Sequence, residues 1–529
     1  MKTKQLFFCG MTGLALLATS CSSNDEALNG GDGTTSEGKT YAQIAISVAN
    51  SATTRALTGN TGDEAYGDDA EYTVNDLTVV LANENAIAMQ VITPKMKTAT
   101  NTDAADDKLI RVTEPFKCTP GSYKVYVLAN YKNSQDALTP IIKGSTDMKA
   151  EFGLTGLTDI ASIANIAKLS TTDNFFMTNV SAPEAQEIKT DATDKEVDDA
   201  GTEITDGKTN LNLLKVDVER AVSKVTFDNT DNQSFDVMVG DNKIATATLE
   251  GASLINLNKK MYLVKGGRTA TNKPAGVTDE WPYPMDPNYS QTSIDEVYCK
   301  ANFEQRSATV FPAPSTATFY CPENTMSALA QLNGQTTGVV YKVNYKPEGK
   351  YYTELAAENG TDSYSKMFEK VLALGDDVRN ADITPTIFTT TDNPEGTFYS
   401  YNGYVFKSMA GARLYKAIAT ANPGDDAAAV NTAFTNGNED DIQTYDKGDC
   451  YYTAWIKHNP TSTVTMQQDK YGVVRNFWYE LKVNSIKKLG YSKPTYKNPT
   501  DPDDKAEASI QVQVKIKKWR LVKQNVDLE

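Results

Sequence analysis

The stretch Ile510-Gln-Val-Gln-Val-Lys-Ile-Lys517 alternates an aliphatic side chain with a polar one four times without a break. Successive side chains of an extended backbone point to opposite faces, so Ile510, Val512, Val514 and Ile516 share one face and the polar residues share the other. No helical period fits that order. Similar strand patterns, bounded by turn-forming residues, occur at Asn75–Asn83, Ala88–Ile92 and Gly121–Asn133, and twice within Leu211–Asn229 around an interruption at Glu219-Arg220. The alternation also opens the stretch Tyr41–Asn60, where Ile44, Ile46 and Val48 alternate with Ala45, Ser47 and Ala49, as in a strand that buries one face. A small, polar segment follows at once, Ser51-Ala-Thr-Thr-Arg-Ala56, which reads as an exposed and cuttable loop. A strand that the core needs therefore stands directly before a cutting site.

At 529 residues with 40% hydrophobic side chains, the chain is long enough for two or more cores. Helical spacing is confined to Thr155–Leu169, Ser363–Gly375 and Gly411–Asn422, and strands return at Cys450–Pro460 and Gly472–Gly490. No short repeat recurs, which argues against a solenoid or propeller. The expected fold is mainly β, with two β-sandwich domains in series, an N-terminal one over 56–225 and a C-terminal one over 226–529, and short helices mainly in the second.

Residues 1–20 read as an address rather than a fold. Lys2 and Lys4 precede an apolar run from Leu6 to Ala18 that is too short for a stable transmembrane helix, and small residues lead to Cys21. Leu17-Ala-Thr-Ser-Cys21 is similar to a lipoprotein signal-peptidase site, with Ala18 where such sites usually carry Leu. Cys21 would then be the acylated N-terminus, held in the membrane by two or more chains. The Gly/Ser/Asp-rich stretch after it reads as a flexible tether. Beyond Cys9 and Cys21 only Cys118, Cys299, Cys321 and Cys450 remain, scattered singly, so zinc is not expected and any disulfide pairing stays open.

Several function classes are disfavoured. A net charge of −16 repels phosphate backbones, so no nucleic acid is expected as a partner. Gly33–Thr40 matches the phosphate-loop pattern, but a polar tether precedes it and a strand follows, where that loop needs a helix N-terminus. The single histidine, His458, lies two residues before Pro460 and reads as a surface-loop residue; with no G-x-S-x-G elbow in the chain, no hydrolase is expected. The acidic runs Asp191–Gly207 and Gly437–Asp441 lack the order of a calcium loop and read as solvated loops. No catalytic residues, cofactor or metal are expected.

Six stretches taken together carry a resemblance: VNDLTVVLAN, GSYKVYVLAN, VERAVSKVTF, FYCPENT, VVRNFWYELKVNSIKKLG and IQVQVKIKKWRLVKQNVDL. In that order the chain resembles the Mfa-type fimbrillins, shaft subunits of the type V pili of Bacteroidales, whose domains are transthyretin-like, Greek-key sandwiches. The resemblance implies export through the periplasm as an outer-membrane lipoprotein on Cys21, then removal of an N-terminal segment by a trypsin-like, Arg/Lys-specific protease cutting between Arg55 and Ala56. Residues 21–55 would be a tether and a removable strand, with Ile44, Ile46 and Val48 filling a groove until the cut. The tail offers a replacement, since Val522, Val526 and Leu528 share a face. A tail filling the next subunit's groove is a heterologous contact that makes a filament.

The expected function is thus a cell-surface fimbrial shaft subunit, assembling with itself and with accessory, tip and anchor subunits, and serving adhesion to host or bacterial receptors and biofilm formation. The alternatives are an accessory or tip subunit, or a monomeric surface lipoprotein that binds glycans through aromatic residues such as Tyr401, Tyr404, Tyr451 and Tyr452, residues that strands more often bury.

Overall fold

The period-two segments assemble into sheets. The computed structural model describes residues 40–48, 64–66, 69–97, 109–134, 140–153, 170–192, 211–265, 283–347 and 396–520, apart from a few positions within the last four ranges. All of these lie in the compact unit Ser36–Glu529.

A nine-stranded sheet runs in the order Ala88–Ile92, Leu77–Ala82, Gly121–Ala129, Met177–Asn179, Asn212–Arg220, Thr40–Val48, Leu109–Val112. Ala185–Ile188 joins Gly121–Ala129, and Phe116–Cys118 joins Thr40–Val48. Every pairing in this sheet is antiparallel except that of Thr40–Val48 with Asn212–Arg220, which is parallel. Parallel neighbours cannot be joined by a hairpin. The first strand has therefore been laid beside a partner some 170 residues away, by register Ala42 to Asn212 through Val48 to Val218.

Across Ala221 the chain passes from this sheet to a second one. Val222–Phe227 joins a five-stranded sheet ordered Glu64–Tyr66, Ile510–Arg520, Phe477–Ile486, Val222–Phe227, Thr318–Pro322. The break predicted at Glu219-Arg220 thus falls at Ala221, because both of those residues keep extended backbone and bury at the join. A four-stranded sheet, Ser234–Val239, Asn242–Ile255, Gly338–Pro347, Asp449–Trp455, packs on the second one. Phe227 of one meets Tyr341 of the other edge-on at 6.0 Å. Sheet-on-sheet packing of this kind hides one face of each alternating strand, as at Val514 and Leu481.

Buried charges sit where the sheets meet. Arg475, with no exposed surface, donates to the carbonyls of Leu263 and Tyr262 at 3.0 and 2.7 Å and lies 3.4 Å from Glu323. Arg220 is equally buried and its Nε donates to Asn476; burial lowers its pKa to about 10 despite Glu71 and Glu219 nearby. Glu71, early in the chain, holds Lys224 at 2.6 Å and accepts from the Tyr320 hydroxyl at 2.6 Å, both in the five-stranded sheet.

The helix predicted over Gly411–Asn422 spans Met409–Ala419, starting earlier because Ser408 accepts from Gly411 N and caps it. It covers a small sheet of Phe398–Tyr401, Tyr404–Phe406 and Gln443–Tyr445, whose hairpin turns at Asn402 and Gly403 with φ of 50° and 83°. Positive φ at both positions is what a two-residue hairpin loop requires. The helices predicted over 155–169 and 363–375 lie outside the described residues.

Candidate assembly site

Thr40–Val48 is an interior strand, not an edge. Ala42, Ile44, Ile46 and Val48 are fully buried on its deep face. The sequence predicts one buried face, yet the second face is largely closed as well: Gln43 has no exposed surface, and Ala45 packs with Val112 and Leu211 in a separate small cluster. Val112, Leu211 and Thr113 supply that cover, distant residues that the alternation of Ile44–Val48 says nothing about.

Leu109–Val112 and Phe116–Cys118 reach the nine-stranded sheet through Thr40–Val48, their strand partner in it. Between them Thr113 interrupts the ladder and turns polar groups toward the first strand. Its carbonyl accepts from Gln43 Nε2 at 2.7 Å, its hydroxyl from Ile44 N at 3.2 Å, and its own N–H donates to Ile44 O at 3.1 Å. At the other end the Thr40 hydroxyl donates to Lys189 O at 2.7 Å and accepts from Ala192 N at 3.2 Å, while Asn212 Nδ2 donates to Tyr41 O at 3.0 Å. The strand is thus held by aliphatic burial along its length and by buried hydrogen bonds at Thr40, Gln43 and Ile44. Gln43, Thr113 and Asn212 carry no motif and were not singled out by the sequence.

Burying the three aliphatic residues Ile44, Ile46 and Val48 contributes roughly 5–9 kcal/mol, at 1.5–3 each. Whole domains are stable by about 5–15 kcal/mol. A groove emptied of this strand would also present unpaired backbone on Asn212–Arg220 and on the two short strands.

The second relevant element is the C-terminal strand Ile510–Arg520. It pairs antiparallel with Phe477–Ile486 on one side. On the other side Glu64–Tyr66 lies parallel to Lys518–Arg520. The chain that follows the predicted cut is therefore joined to the base of the predicted polymerisation tail. Cys21, Arg55, Ala56, Val522, Val526 and Leu528 themselves lie outside the described residues.

Other sequence candidates resolve differently. His458 is not at the surface: it is buried, its Nδ1 lies 2.7 Å from the Tyr479 hydroxyl, and it packs on Tyr283 and Phe477. Burial lowers its pKa to about 3, with Lys265 adding to the effect. Pro460 does set a turn, but the turn directs the imidazole inward. Cys118, Cys299, Cys321 and Cys450 are buried and none is in a disulfide; burial raises the thiols of Cys118, Cys321 and Cys450 to about 12. Tyr401 and Tyr404 pack against Tyr415 of the covering helix, and Tyr452 lies in the core. Among the described residues no group of three or more His, Cys, Asp or Glu could hold a metal ion.

Two family models match the chain in order. Residues 42–253 match the one described as major fimbrial subunit protein (FimA), and residues 443–525 the one described as major fimbrial subunit protein type IV, fimbrillin, C-terminal. Together they span more than half of the sequence, and the first begins inside the buried strand. The chain belongs to the fimbrillin family.

Among solved structures the fimbrillin is similar to a candidate cell adhesion protein of Parabacteroides distasonis, with 12% identity, 92% of this chain and 99% of that one covered, and a TM-score of 0.40. It is similar to the fimbrilin FimA of Porphyromonas gingivalis, with 13% identity, coverage of 92% and 99%, and a TM-score of 0.35. For the tip fimbrial protein Mfa3 of the same organism, with a C-terminal truncation, identity is 13%, coverage 90% and 100%, and the TM-score 0.29. No curated protein matches the chain significantly. Family membership makes this a fimbrial subunit of the cell surface, associating with other such subunits.

Proposed function

We propose that this fimbrillin is a shaft subunit that polymerises by strand exchange after its first strand is cut away. The observation that carries this is the position of Thr40–Val48: interior in its sheet, buried on its deep face and largely closed on the other, yet followed within a few residues by the basic site Arg55. A strand so deeply built in stabilises a monomeric precursor. Its loss leaves a gap that only another strand can close.

In this reading the precursor crosses the periplasm, is acylated at Cys21 and sits in the outer membrane until an Arg/Lys-specific protease cuts between Arg55 and Ala56. Residues 56–225 and 226–529 form the two domains, and the tail carrying Val522, Val526 and Leu528 enters the neighbour's groove. Accessory, tip and anchor subunits complete the fimbrium, which serves adhesion and biofilm formation as a structural, non-enzymatic part. The packing of Tyr401, Tyr404 and Tyr452 against other residues gives the glycan-binding alternative no added support.

N-terminal mass mapping of protein sheared from cells, run beside an unboiled gel, tests the proposal. An N-terminus at Ala56 within a detergent-resistant ladder is expected, and Arg55→Ala should leave a lipid-bound monomer. An acylated Cys21 on a single monomeric band from the unsubstituted protein would overturn it.

A further inference from the structure

We propose that the neighbour's tail enters the vacated groove parallel to Asn212–Arg220, in the register that sets Asn525 where Gln43 stood; this rests on the strand-exchange reading above. Expelling Thr40–Val48 takes two donors from Thr113: the Gln43 side-chain amide on its carbonyl, and the Ile44 backbone N–H on its hydroxyl. Thr113 has no exposed surface when the groove is filled. Any incoming backbone can replace the N–H of Ile44. The carbonyl, however, requires a side-chain donor at the position Gln43 held, because a buried acceptor left unpaired costs free energy.

The tail reads Leu521-Val-Lys-Gln-Asn-Val-Asp-Leu-Glu529. Its aliphatic residues Val522, Val526 and Leu528 must take the deep face, which restricts the choice to registers two residues apart. With Asn525 at Gln43 in the parallel sense, Val526 falls at Ile44 and Leu528 at Ile46, the centre of the apolar groove. Val522 falls at Thr40, a side chain of the same shape, giving up the hydroxyl's bond from Ala192 N while Lys189 O keeps the Asn212 amide as donor. Gln524 falls at Ala42, a fully buried site at the end of the deep face whose register partner is the amide-bearing Asn212, and Asp527 at Ala45, opposite Lys215. Sliding the strand two residues either way brings Asp527 or Lys523 to the buried Gln43 position instead.

The reversed strand fares worse where it matters. Aligned for apolar fit, with Leu528 at Ala42 and Val526 at Ile44, it sets Asp527 at Gln43. A carboxylate then faces the Thr113 carbonyl, two acceptors with no proton between them, and Gln524 occupies the site of Ile46. The reversed strand does bring Glu529 opposite Lys117 and Lys523 opposite Asp217. Lys117 and Asp217 are exposed, and ion pairs at the surface contribute little. A reversed strand with Asn525 at Gln43 would supply the donor but set Gln524 at the fully buried Ile44, so the buried acceptor and the apolar groove together decide the direction.

Cysteine cross-linking of the full chain cut at Arg55 reads the register. Tyr41 is the register partner of Lys117, so the residue that replaces Tyr41 lies next to position 117. Oxidised polymer of Lys117→Cys/Lys523→Cys is expected to run as a ladder after boiling without reductant, and polymer of Lys117→Cys/Glu529→Cys as monomers, like each single variant. The opposite pattern, or monomers from both pairs while the unsubstituted protein still forms a detergent-resistant ladder before boiling, would overturn the register and leave strand exchange standing. Absence of any ladder from the cut, unsubstituted protein would overturn both. In a second measurement Asn525→Gln should polymerise within about twofold of the unsubstituted rate and Asn525→Asp about tenfold more slowly, since only the amide supplies the donor. Equal rates for the two variants would also sink the proposal.

Discussion

The side-chain amide of Gln43 donates to the backbone carbonyl of Thr113 at 2.7 Å, and neither residue has exposed surface. The bond joins the first strand to the loop between Leu109–Val112 and Phe116–Cys118. Gln43→Leu removes the donor and leaves the acceptor buried, which should cost the uncut chain about 1–3 kcal/mol. Urea unfolding of the uncut Arg55→Ala protein with and without Gln43→Leu would read this as a lower midpoint at unchanged slope. If the first strand is cut away as proposed, the substitution should have no effect in the assembled filament, because residue 43 has left. An equal loss in both states would mean that the strand stays.

A dependence of two strands on a third has a kinetic signature. Leu109–Val112 and Phe116–Cys118 pair in the sheet with Thr40–Val48. Backbone amides over 109–118 should therefore exchange slowly in the precursor, fast in a cut subunit whose tail-donating neighbour is missing, and slowly again in the polymer. Hydrogen exchange followed by mass spectrometry on the three species distinguishes this from simple loosening of the whole sheet, which would expose Leu77–Ala82 equally. Protection that never changes over 109–118 would show that the groove does not open.

Much of the sheet structure was legible because alternation is a local property. Ala88–Ile92 and the body of Ile510–Arg520 can be read residue by residue, and the helix at Met409–Ala419 from its spacing and the nearby Pro423. What could not be read is whatever two distant segments do together. Gln43 meets Thr113 across 70 residues, and the first strand lies parallel to Asn212–Arg220 through contacts that no local pattern encodes. The same limit explains His458: Pro460 announced a turn, but Phe477 and Tyr479, which enclose the imidazole, come from the next strand. Glu64–Tyr66 carries no readable pattern, because a three-residue strand has too few positions to show a period.

Arg475, just before the strand Phe477–Ile486, ties the end of the five-stranded sheet to the segment 260–263 through one side chain. It bonds two backbone carbonyls, of Tyr262 and Leu263, and faces the buried carboxylate of Glu323. Arg475→Met keeps most of the volume but strands Glu323 and both carbonyls, and breaking one side of a buried pair costs about 3–5 kcal/mol. Thermal unfolding should show a large drop in midpoint, while Arg475→Met/Glu323→Leu, which removes both charges, should recover part of it. No recovery in the double variant would assign the loss to the carbonyls alone.

His458 gives the fold an acid-sensitive point that can be assigned cleanly, since the chain has no other histidine. Its imidazole is buried against Tyr283, Phe477 and Tyr479, with a pKa lowered to about 3 from an ordinary 6.5. The folded state therefore holds the ring neutral while the unfolded chain protonates it as pH falls. A depressed folded pKa means that the contribution is fully present above pH 6.5 and is lost progressively as pH falls toward 3, at up to about 1.4 kcal/mol per pH unit. Between pH 6.5 and 5, where most carboxylates stay ionised, His458→Gln should flatten the fall of unfolding free energy measured in urea, even if it lowers stability at neutral pH by disturbing the bond to Tyr479. A slope unchanged by the substitution would show that groups other than this ring set the acid limit.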